Sequence, residues 1–334
     1  MISLGSTGIV TPQCGFGALP IQRISDEEAG KLLLLAYDSG VTFFDTARAY
    51  TDSEHKIGLA LSSVRDRIYL ASKTGAKDPE GFWKDLNTSL KNLKTDYLDI
   101  YQFHCADRCY RPGDGSGMYE AMLEAKEKGW IRHIGITAHK ISVAEEAAVS
   151  GLYETLQYPF SYLASERELE LVKTCREKNV GFIAMKGLCG GLLNHSAACA
   201  AFMAQFDNVI PIWGVQRESE LREFLSYMEK APSPEEPELA AIIEKDRKEL
   251  TGDFCRSCGY CLPCSVGINI PQCARMAQLL RRMPPAQWLT EEWQREMEKI
   301  NACTRCGKCM KKCPYGLKIP DLLRKNLEDY KTFL

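Results

Sequence analysis

Nine of the fifteen cysteines in this 334-residue chain lie between positions 255 and 313. Eight of them form two runs, CRSCGYCLPC (255–264) and CTRCGKCMKKC (303–313). Each run opens C-x2-C-x2-C, and each continues to C-x-x-G-x-x-I-P. The first three thiols of the runs are offset by 48 residues and the rest of the motif by 49, so the segment is an internal duplication. Clustered cysteines in a chain that opens without a basic, then apolar, export segment point to metal rather than disulfides. Three thiols at this spacing can wrap one face of an iron–sulfur cube while the tight loop offers backbone N–H groups to the sulfurs. In two-cluster ferredoxins the fourth cysteine of a run ligates the other cluster. The expected ligand sets are therefore Cys255, Cys258, Cys261 and Cys313 for one [4Fe–4S] cluster, and Cys303, Cys306, Cys309 and Cys264 for the second. The first run departs from the pattern: two residues rather than three precede its last cysteine, and Ser265 stands where proline usually follows. Zinc is the alternative, but structural zinc draws pairs of ligands from separated knuckles. Cys273 is left over and reads as a buried thiol.

A second set of reactive types is spread through the first half. Asp45 closes the apolar run VTFFD and is followed by Thr46 and Tyr50; Ser72 and Lys73 close RIYLASK; His104 closes YLDIYQFH. A phenol with a reference pKa near 10 is too weak an acid to act freely at neutral pH. A nearby ammonium would favour the phenolate and make the tyrosine a better proton donor. A buried lysine then needs a counter-charge, which Asp45 supplies. His104 could orient a carbonyl oxygen beside the phenol. Such a set protonates a carbonyl while a hydride arrives, or runs the reverse.

That chemistry requires elements that bring the four together. Apolar strand-like runs occur at 13–19, 41–45, 67–73, 97–104, 132–137, 154–158, 180–186 and 209–214. Helical patterns alternate with them at 26–39, 54–63, 79–94, 117–129, 142–150, 165–178, 196–206 and 218–230. Strand–helix alternation implies parallel strands with crossover helices. Eight units in this length match a closed (β/α)8 barrel, an α/β fold whose chemistry sits at the carboxyl ends of the strands. An open doubly wound sheet is the alternative, but it usually opens with a Gly-rich phosphate turn, where this chain has only the isolated Gly15-x-Gly17. The helical patterns flanking the cysteine runs, near 237–250, 272–282, 290–300 and 321–330, make the remainder a small all-α module. The polar, proline-rich APSPEEPE (231–238) marks a linker or helix start, giving expected domains of 1–232 and 233–334.

Charge narrows the function. The whole chain carries 42 Lys+Arg against 44 Asp+Glu, which excludes a strongly basic nucleic-acid binder. No apolar stretch is long enough to span a membrane, so a cytoplasmic location is expected. Residues 252–334 are different: 14 basic against 8 acidic side chains, a net of +6. Eight ligating thiolates and two clusters in the usual core state reduce this to about +2. Lys308, Lys311, Lys312 and Lys318 remain around the second run, either a docking face for an acidic ferredoxin- or flavodoxin-like electron carrier or a solvated face that offsets cluster charge.

The segments FFDTARAY (43–50), LASKTG (70–75), SLKNLKTDYLDIYQFH (89–104) and GWIRHIGIT (129–137) together resemble the aldo-keto reductase family over about residues 1–230. The resemblance implies a (β/α)8 barrel using NADH or NADPH without a metal, with Asp45, Tyr50, Lys73 and His104 as the catalytic tetrad. It implies Tyr50 as general acid, Lys73 and Asp45 as its tuning pair and His104 as the substrate-orienting group. It further implies that Thr137 and Gln157 hold the nicotinamide carboxamide and that Met185 stands where many members stack an aromatic ring. Ala138 replaces a common asparagine. WGVQRESEL (213–221) resembles the family's phosphate and adenine loop, placing Gly214, Gln216 and Arg217 at the cofactor; the acidic Glu220 there tilts the expectation toward NADH. The cysteine module resembles a helical dicluster ferredoxin domain. The loop CADRCYRPGDGSG (105–117) is expected to face substrate, with Cys105, Cys109 and Cys189 as ordinary thiols on that rim.

The expected function is a nicotinamide-dependent carbonyl reductase, or alcohol dehydrogenase, coupled to electron transfer through two [4Fe–4S] clusters. Two alternatives stand beside it: a ferredoxin-fed reductase without nicotinamide, and a non-catalytic redox-sensing module.

Overall fold

The computed structural model describes residues 1–250 and 254–334. A hairpin of β1 (Ile2–Ser3) and β2 (Val10–Thr11) precedes the eight strands of a closed parallel barrel. These are β3 (Gly15–Gly17), β4 (Phe43–Asp45), β5 (Tyr69–Thr74), β6 (Leu98–Ala106), β7 (Ile131–Ala138), β8 (Thr155–Pro159), β9 (Gly181–Met185) and β10 (Val209–Gly214). Each pairs with the next in sequence, and β10 returns to β3 through Ile212↔Gly15 and Gly214↔Gly17. The crossovers carry α1 (Asp26–Asp38), α2 (Ser53–Leu61), α3 (Pro79–Leu93), α4 (Met118–Glu127), α5 (Ile141–Val149), α6 (Glu166–Glu177) and α7 (Ser196–Met203). Helix α8 (Glu218–Glu229) follows the last strand. The alternation read from sequence is thus a closed barrel, not an open sheet.

Local signals fix the helix starts. Ser25 and Glu28 form a reciprocal capping box on α1, as Ser165 and Glu168 do on α6. Asp78 caps α3, where Pro79 fills the first turn. Inside the barrel, Phe43, Ala71, Ile100, Ile183, Ile210 and Ile212 form a buried apolar layer, closed at one end by Leu4 and Ile9 of the hairpin region. The hairpin was not foreseen. Its strands are two residues each, too short for a periodic signal. Gly5 makes the seat possible: it sits at φ +56, and a Cβ there would lie 2.2 Å from the Gly181 nitrogen.

The chain divides into two compact units. One comprises 1–187 with 196–240; the other comprises 188–195 with 241–334. Helix α9 (Pro237–Glu249) begins within the polar proline-rich segment. The second unit adds α10 (Ile270–Cys273), α11 (Met276–Arg282), α12 (Glu291–Glu298), α13 (Lys308–Lys312) and α14 (Ile319–Lys331). Its inserted loop, 188–195, is held by cations from α11 and the residue before it. Arg275 donates to the carbonyls of Cys189 and Gly190, and Arg282 donates to that of Leu192 at 2.7 Å. Arg282 also pairs with the buried Asp246.

The duplication is written in the backbone. Ser257 and Arg305, 48 residues apart, are both left-handed, at φ 54 and 52. Gly259 and Gly307 follow at 83 and 74, then Gly267 and Gly316 at 75 and 64. Left-handed residues in such turns can bring successive N–H groups to one side, a form that suits a cluster's sulfurs. The amide of Asn326 in α14 donates to the Cys273 carbonyl at 2.9 Å, tying the second repeat to the first.

Candidate active site and cluster ligands

Strand periodicity carries the reactive groups inward. Residues two apart on a strand share a face, so the apolar layer of Phe43, Ala71 and Ile100 is followed, one step nearer the carboxyl ends, by Asp45, Lys73 and Gln102. The register agrees: Asp45 pairs with Ala71, and Lys73 with Gln102. His104 lies one further step along β6, and Gln157 and Met185 follow Thr155 and Ile183 in the same way on β8 and β9. Ser72, at the opposite parity, faces outward and donates to the buried Glu54 of α2 at 2.7 Å.

Lys73 and Asp45 form a fully buried ion pair of 2.6 Å, with side-chain exposures of 1% and 2%. The lysine also donates to the Thr46 carbonyl at 2.6 Å. Burial raises the Asp45 carboxyl; Lys73, Gln157 and Gln102 oppose that rise without cancelling it. Tyr50 sits in the turn after β4, where its N–H bonds the Ala47 carbonyl and a Thr46–Ser53 hydroxyl contact of 2.9 Å closes the loop. The Lys73 ammonium is 5.3 Å from the Tyr50 ring centre. The His104 ring stands edge-on to Tyr50, centroids 5.7 Å apart. All four tetrad residues of the sequence reading therefore meet at one end of the barrel.

Burial chiefly, and then the Asp45 and Cys105 charges, hold the Tyr50 phenol above its ordinary value. Tyr50 consequently keeps its proton. His104 is neutral: burial first, then Lys73 and Lys77, lower it to about 3. A neutral imidazole and a protonated phenol, side by side, offer two O–H or N–H groups to one carbonyl oxygen.

The strand carrying His104 is irregular. Its register with β7 shifts between Phe103 and Ala106, and Cys105 takes φ +51. Its N–H leaves the ladder for the Thr137 hydroxyl at 2.7 Å. Such bulges re-aim side chains beside active sites.

The expected nicotinamide contacts have partners of their own. Thr137 holds that Cys105 N–H. Gln157 is buried and accepts from Gln102 at 3.0 Å. Met185 is half-buried against the core layer. Gly214 is exposed opposite Gly17, and a Cβ there would press on Pro20 at 3.1 Å. Gln216 and Arg217 lie at the start of α8, where the Glu220 carboxylate accepts from both backbone N–H groups at 3.0 and 3.2 Å. The Arg217 side chain is exposed. Glu220 thus fills, from within the chain, the place an anionic phosphate would take at that helix end. One observation fits a bound carboxamide. The Gln102 Oε1, buried beside Gln157, has no hydrogen-bond partner among the described residues.

Two residues of this site went unnoticed in the sequence. Gln102 crosses the barrel to reach both Asp45, at 3.5 Å, and Gln157. It does so over Gly135, where a Cβ would lie 2.8 Å from the glutamine Cγ. Its place two residues before His104 on the same strand was the available signal. His139, just past β7, is buried and lowered to about 3 by burial, then Lys186 and His104.

In the second unit the expected cluster thiols fall in two neighbourhoods. A cleft is lined by Cys261, Cys264, Cys303, Cys306 and Cys309. Ser265, next to Cys264, reaches within 4.0 Å of the Cys306 sulfur. On the other side, burial raises the Cys255 thiol, and the neighbouring Cys258 and Cys313 push it further while the Ser257 N–H opposes them. Burial raises Cys261 to about 12, with Cys255 and Cys258 adding. Metal binding reverses this logic by taking the thiolate. Cys313 thus acts on Cys255 of the first run, and Cys264 shares a cleft with the second. Among the described residues no three His, Cys, Asp or Glu side chains are set to grip a single ion. Cys273 is buried, raised to about 12 by burial, and its thiol approaches the Glu296 carbonyl at 3.9 Å. Cys109 and Cys189 are buried, Cys105 half-buried, and none is in a disulfide among the described residues.

Comparison with known proteins gives two matches. Residues 13–198 match the aldo/keto reductase family, and residues 254–318 match a 4Fe-4S dicluster domain. The aldo-keto reductase YhdN of Bacillus subtilis is 29% identical over 210 residues, covering 57% of this chain and 62% of that protein. The chain thus spans about three-fifths of that curated relative. A holo aldo-keto reductase from Bacillus halodurans superposes with a TM-score of 0.64 at 20% identity, over 73% of this chain and 94% of the other. One from Klebsiella pneumoniae, solved with NADPH, gives 0.60 at 20% identity, over 74% and 96%. No helix among the described residues is long and apolar enough to cross a membrane.

Proposed function

The chain belongs to the aldo/keto reductase family and also carries a 4Fe-4S dicluster domain, and we propose that it is an oxidoreductase that reduces a carbonyl, or oxidises the matching alcohol, at Tyr50. When bound, a reduced nicotinamide supplies a hydride, and the two clusters supply single-electron transfer. The chain's residues do the rest. Tyr50 gives its proton to the carbonyl oxygen and regains one from solvent. His104, neutral, donates an N–H to the same oxygen and fixes its direction. Lys73 and Asp45 hold a buried, balanced charge pair beneath the phenol, so that oxyanion character on Tyr50 or substrate develops next to an ammonium. Thr137, Gln157, Gln102 and Met185 would hold the nicotinamide end; Gly214, Gln216 and Arg217 would meet the phosphate end. Glu220 at that end disfavours a further phosphate, so NADH is the expected partner. Cys255, Cys258, Cys261 and Cys313 would hold one cluster and Cys303, Cys306, Cys309 and Cys264 the other. Lys308, Lys311 and Lys312, all exposed beside the second set, would receive an acidic one-electron carrier.

The observation that carries this reading is the convergence of Asp45, Lys73, Tyr50 and His104 on one end of a barrel. A second reading, a ferredoxin-fed reductase without nicotinamide, draws support from Thr137 and Gln157 already having partners. One experiment separates them. Anaerobically purified protein with reconstituted clusters receives NADH or NADPH, and cluster absorbance is followed near ~400 nm. Bleaching, together with NADH-dependent carbonyl reduction that is lost in Tyr50→Phe, supports the first reading. No saturable nicotinamide binding, with dithionite still reducing the clusters, supports the second.

A further inference from the structure

The catalytic end of the barrel is cationic in a part of the chain that is otherwise acidic. Residues 1–251 hold 28 basic against 36 acidic side chains. Yet three cations beyond Lys73 stand just past the carboxyl ends of the barrel strands. Lys77 lies three residues beyond β5, Arg108 two beyond β6, and Lys186 directly after β9. Lys77 and Arg108 share one aromatic platform. The Lys77 ammonium is 3.5 Å from the Tyr110 hydroxyl, and the Arg108 guanidinium lies 5.0 Å from the centre of the same ring. Tyr110 in turn packs on Phe103, the residue before His104, with centroids 4.5 Å apart. Both cations therefore sit beside the strand end that carries His104. Among the described residues neither has a carboxylate within 4.0 Å. The acids nearby are committed elsewhere. Asp45 belongs to Lys73, Glu146 to Arg111, and Asp114 accepts from Ser116 and from the Arg111 N–H. Arg108 acts on Asp114 without an ion pair between them. Among the described residues the contacts of the Lys77 ammonium are to Tyr110, its hydroxyl and ring. The field of these cations is felt at the site itself: Lys77 acts on His104, and Lys186 on His139.

Cations held on an aromatic platform, without a partner acid, next to the groups that grip a carbonyl oxygen, are a receptor for an anion on the same molecule. We propose that the substrate is a carbonyl compound bearing a carboxylate, with its carbonyl oxygen at Tyr50 and His104 and its carboxylate on Lys77 and Arg108. This rests on the reading that Tyr50 and His104 hold a carbonyl, and it adds the charge and the second anchor point. A neutral substrate would leave both cations without that partner. Part of the binding energy of an acidic one is then set apart from the reacting bond and orients it.

The test pairs two probes that differ by a negative charge against a methyl group: 4-carboxybenzaldehyde and its methyl ester. With intact clusters and NADH, kcat/KM is expected to favour the acid. An ion pair at a partly exposed site contributes up to about fivefold, so Lys77→Met lowers the acid-to-ester ratio by about that factor. Lys77→Met/Arg108→Met lowers it by about tenfold or more, and raising salt does the same in the parent protein. Calorimetric binding of the two alcohol products, 4-(hydroxymethyl)benzoate and its methyl ester, gives a readout independent of turnover and should show the same preference. Equal binding of acid and ester, or a ratio untouched in the double variant, overturns the proposal while leaving carbonyl reduction intact. Failure of both probes to turn over counts against the catalytic reading instead, and the calorimetric comparison still decides the charge preference.

Discussion

Removing one member of the buried pair gives the sharpest check on how the site is held. In Lys73→Met the alkyl stem is kept and the ammonium lost, leaving Asp45 with a charge at 2% exposure. Its remaining donors are weak: Gln102 reaches the other oxygen only at 3.5 Å. Breaking a buried ion pair by deleting one partner costs about 3–5 kcal/mol. In a unit the size of this barrel each kcal/mol moves Tm by about 2–4 °C, so a fall of about 6–20 °C is expected. The loss has a pH signature. Without Lys73, Asp45 takes a proton in the fold, so its folded pKa rises further above the unfolded value of about 3.9. A group raised in this way loses stability as pH climbs above the unfolded pKa and through the folded one. The deficit should therefore be smaller at pH 5 than at pH 8. Lys73→Met/Asp45→Asn should recover most of the loss, because no uncompensated charge remains. Thermal unfolding followed by far-ultraviolet circular dichroism, on the anaerobic cluster-loaded protein at both pH values, measures all of this. A single variant within about 1 kcal/mol of the parent, or a deficit independent of pH, would refute the description of the pair as a buried, mutually dependent charge couple.

His104, lowered to about 3, gives a second expectation: kcat/KM for carbonyl reduction shows no limb near 6.5, and one found there and abolished in His104→Gln would contradict it. The same group contributes stability above the unfolded value of about 6.5, lost as pH falls toward 3, so acid unfolding should be delayed in His104→Gln. The cluster ligands allow a pairing test by electron paramagnetic resonance and iron analysis. Cys264→Ala should lose the same cluster signal as Cys306→Ala, and Cys313→Ala the same as Cys255→Ala; the opposite pairing rejects cross-ligation.

Much of this was legible in the residues because it depends on local repetition. A two-residue period put Asp45 and Lys73 one step past Phe43 and Ala71, so the rim could be read strand by strand. The C-x2-C-x2-C duplication reappears as short loops whose left-handed positions, Ser257 and Arg305 among them, recur at the same offset. The hairpin escaped notice because a two-residue strand has no period to detect, and only Gly5 against Gly181 decides where it lies. Other features depend on groups distant in sequence that meet in the fold. Gln102 reaches Gln157 only because Gly135 leaves the space. Lys77 and Arg108 become neighbours only through Tyr110. The loop 188–195 joins the second unit because Arg275 and Arg282 hold its carbonyls. Residue types thus told which chemistry was available. Burial and long-range packing decided the protonation: whether Tyr50 keeps its proton and whether His104 stays neutral turn on desolvation and on charges drawn from other strands, which exist only once the barrel closes.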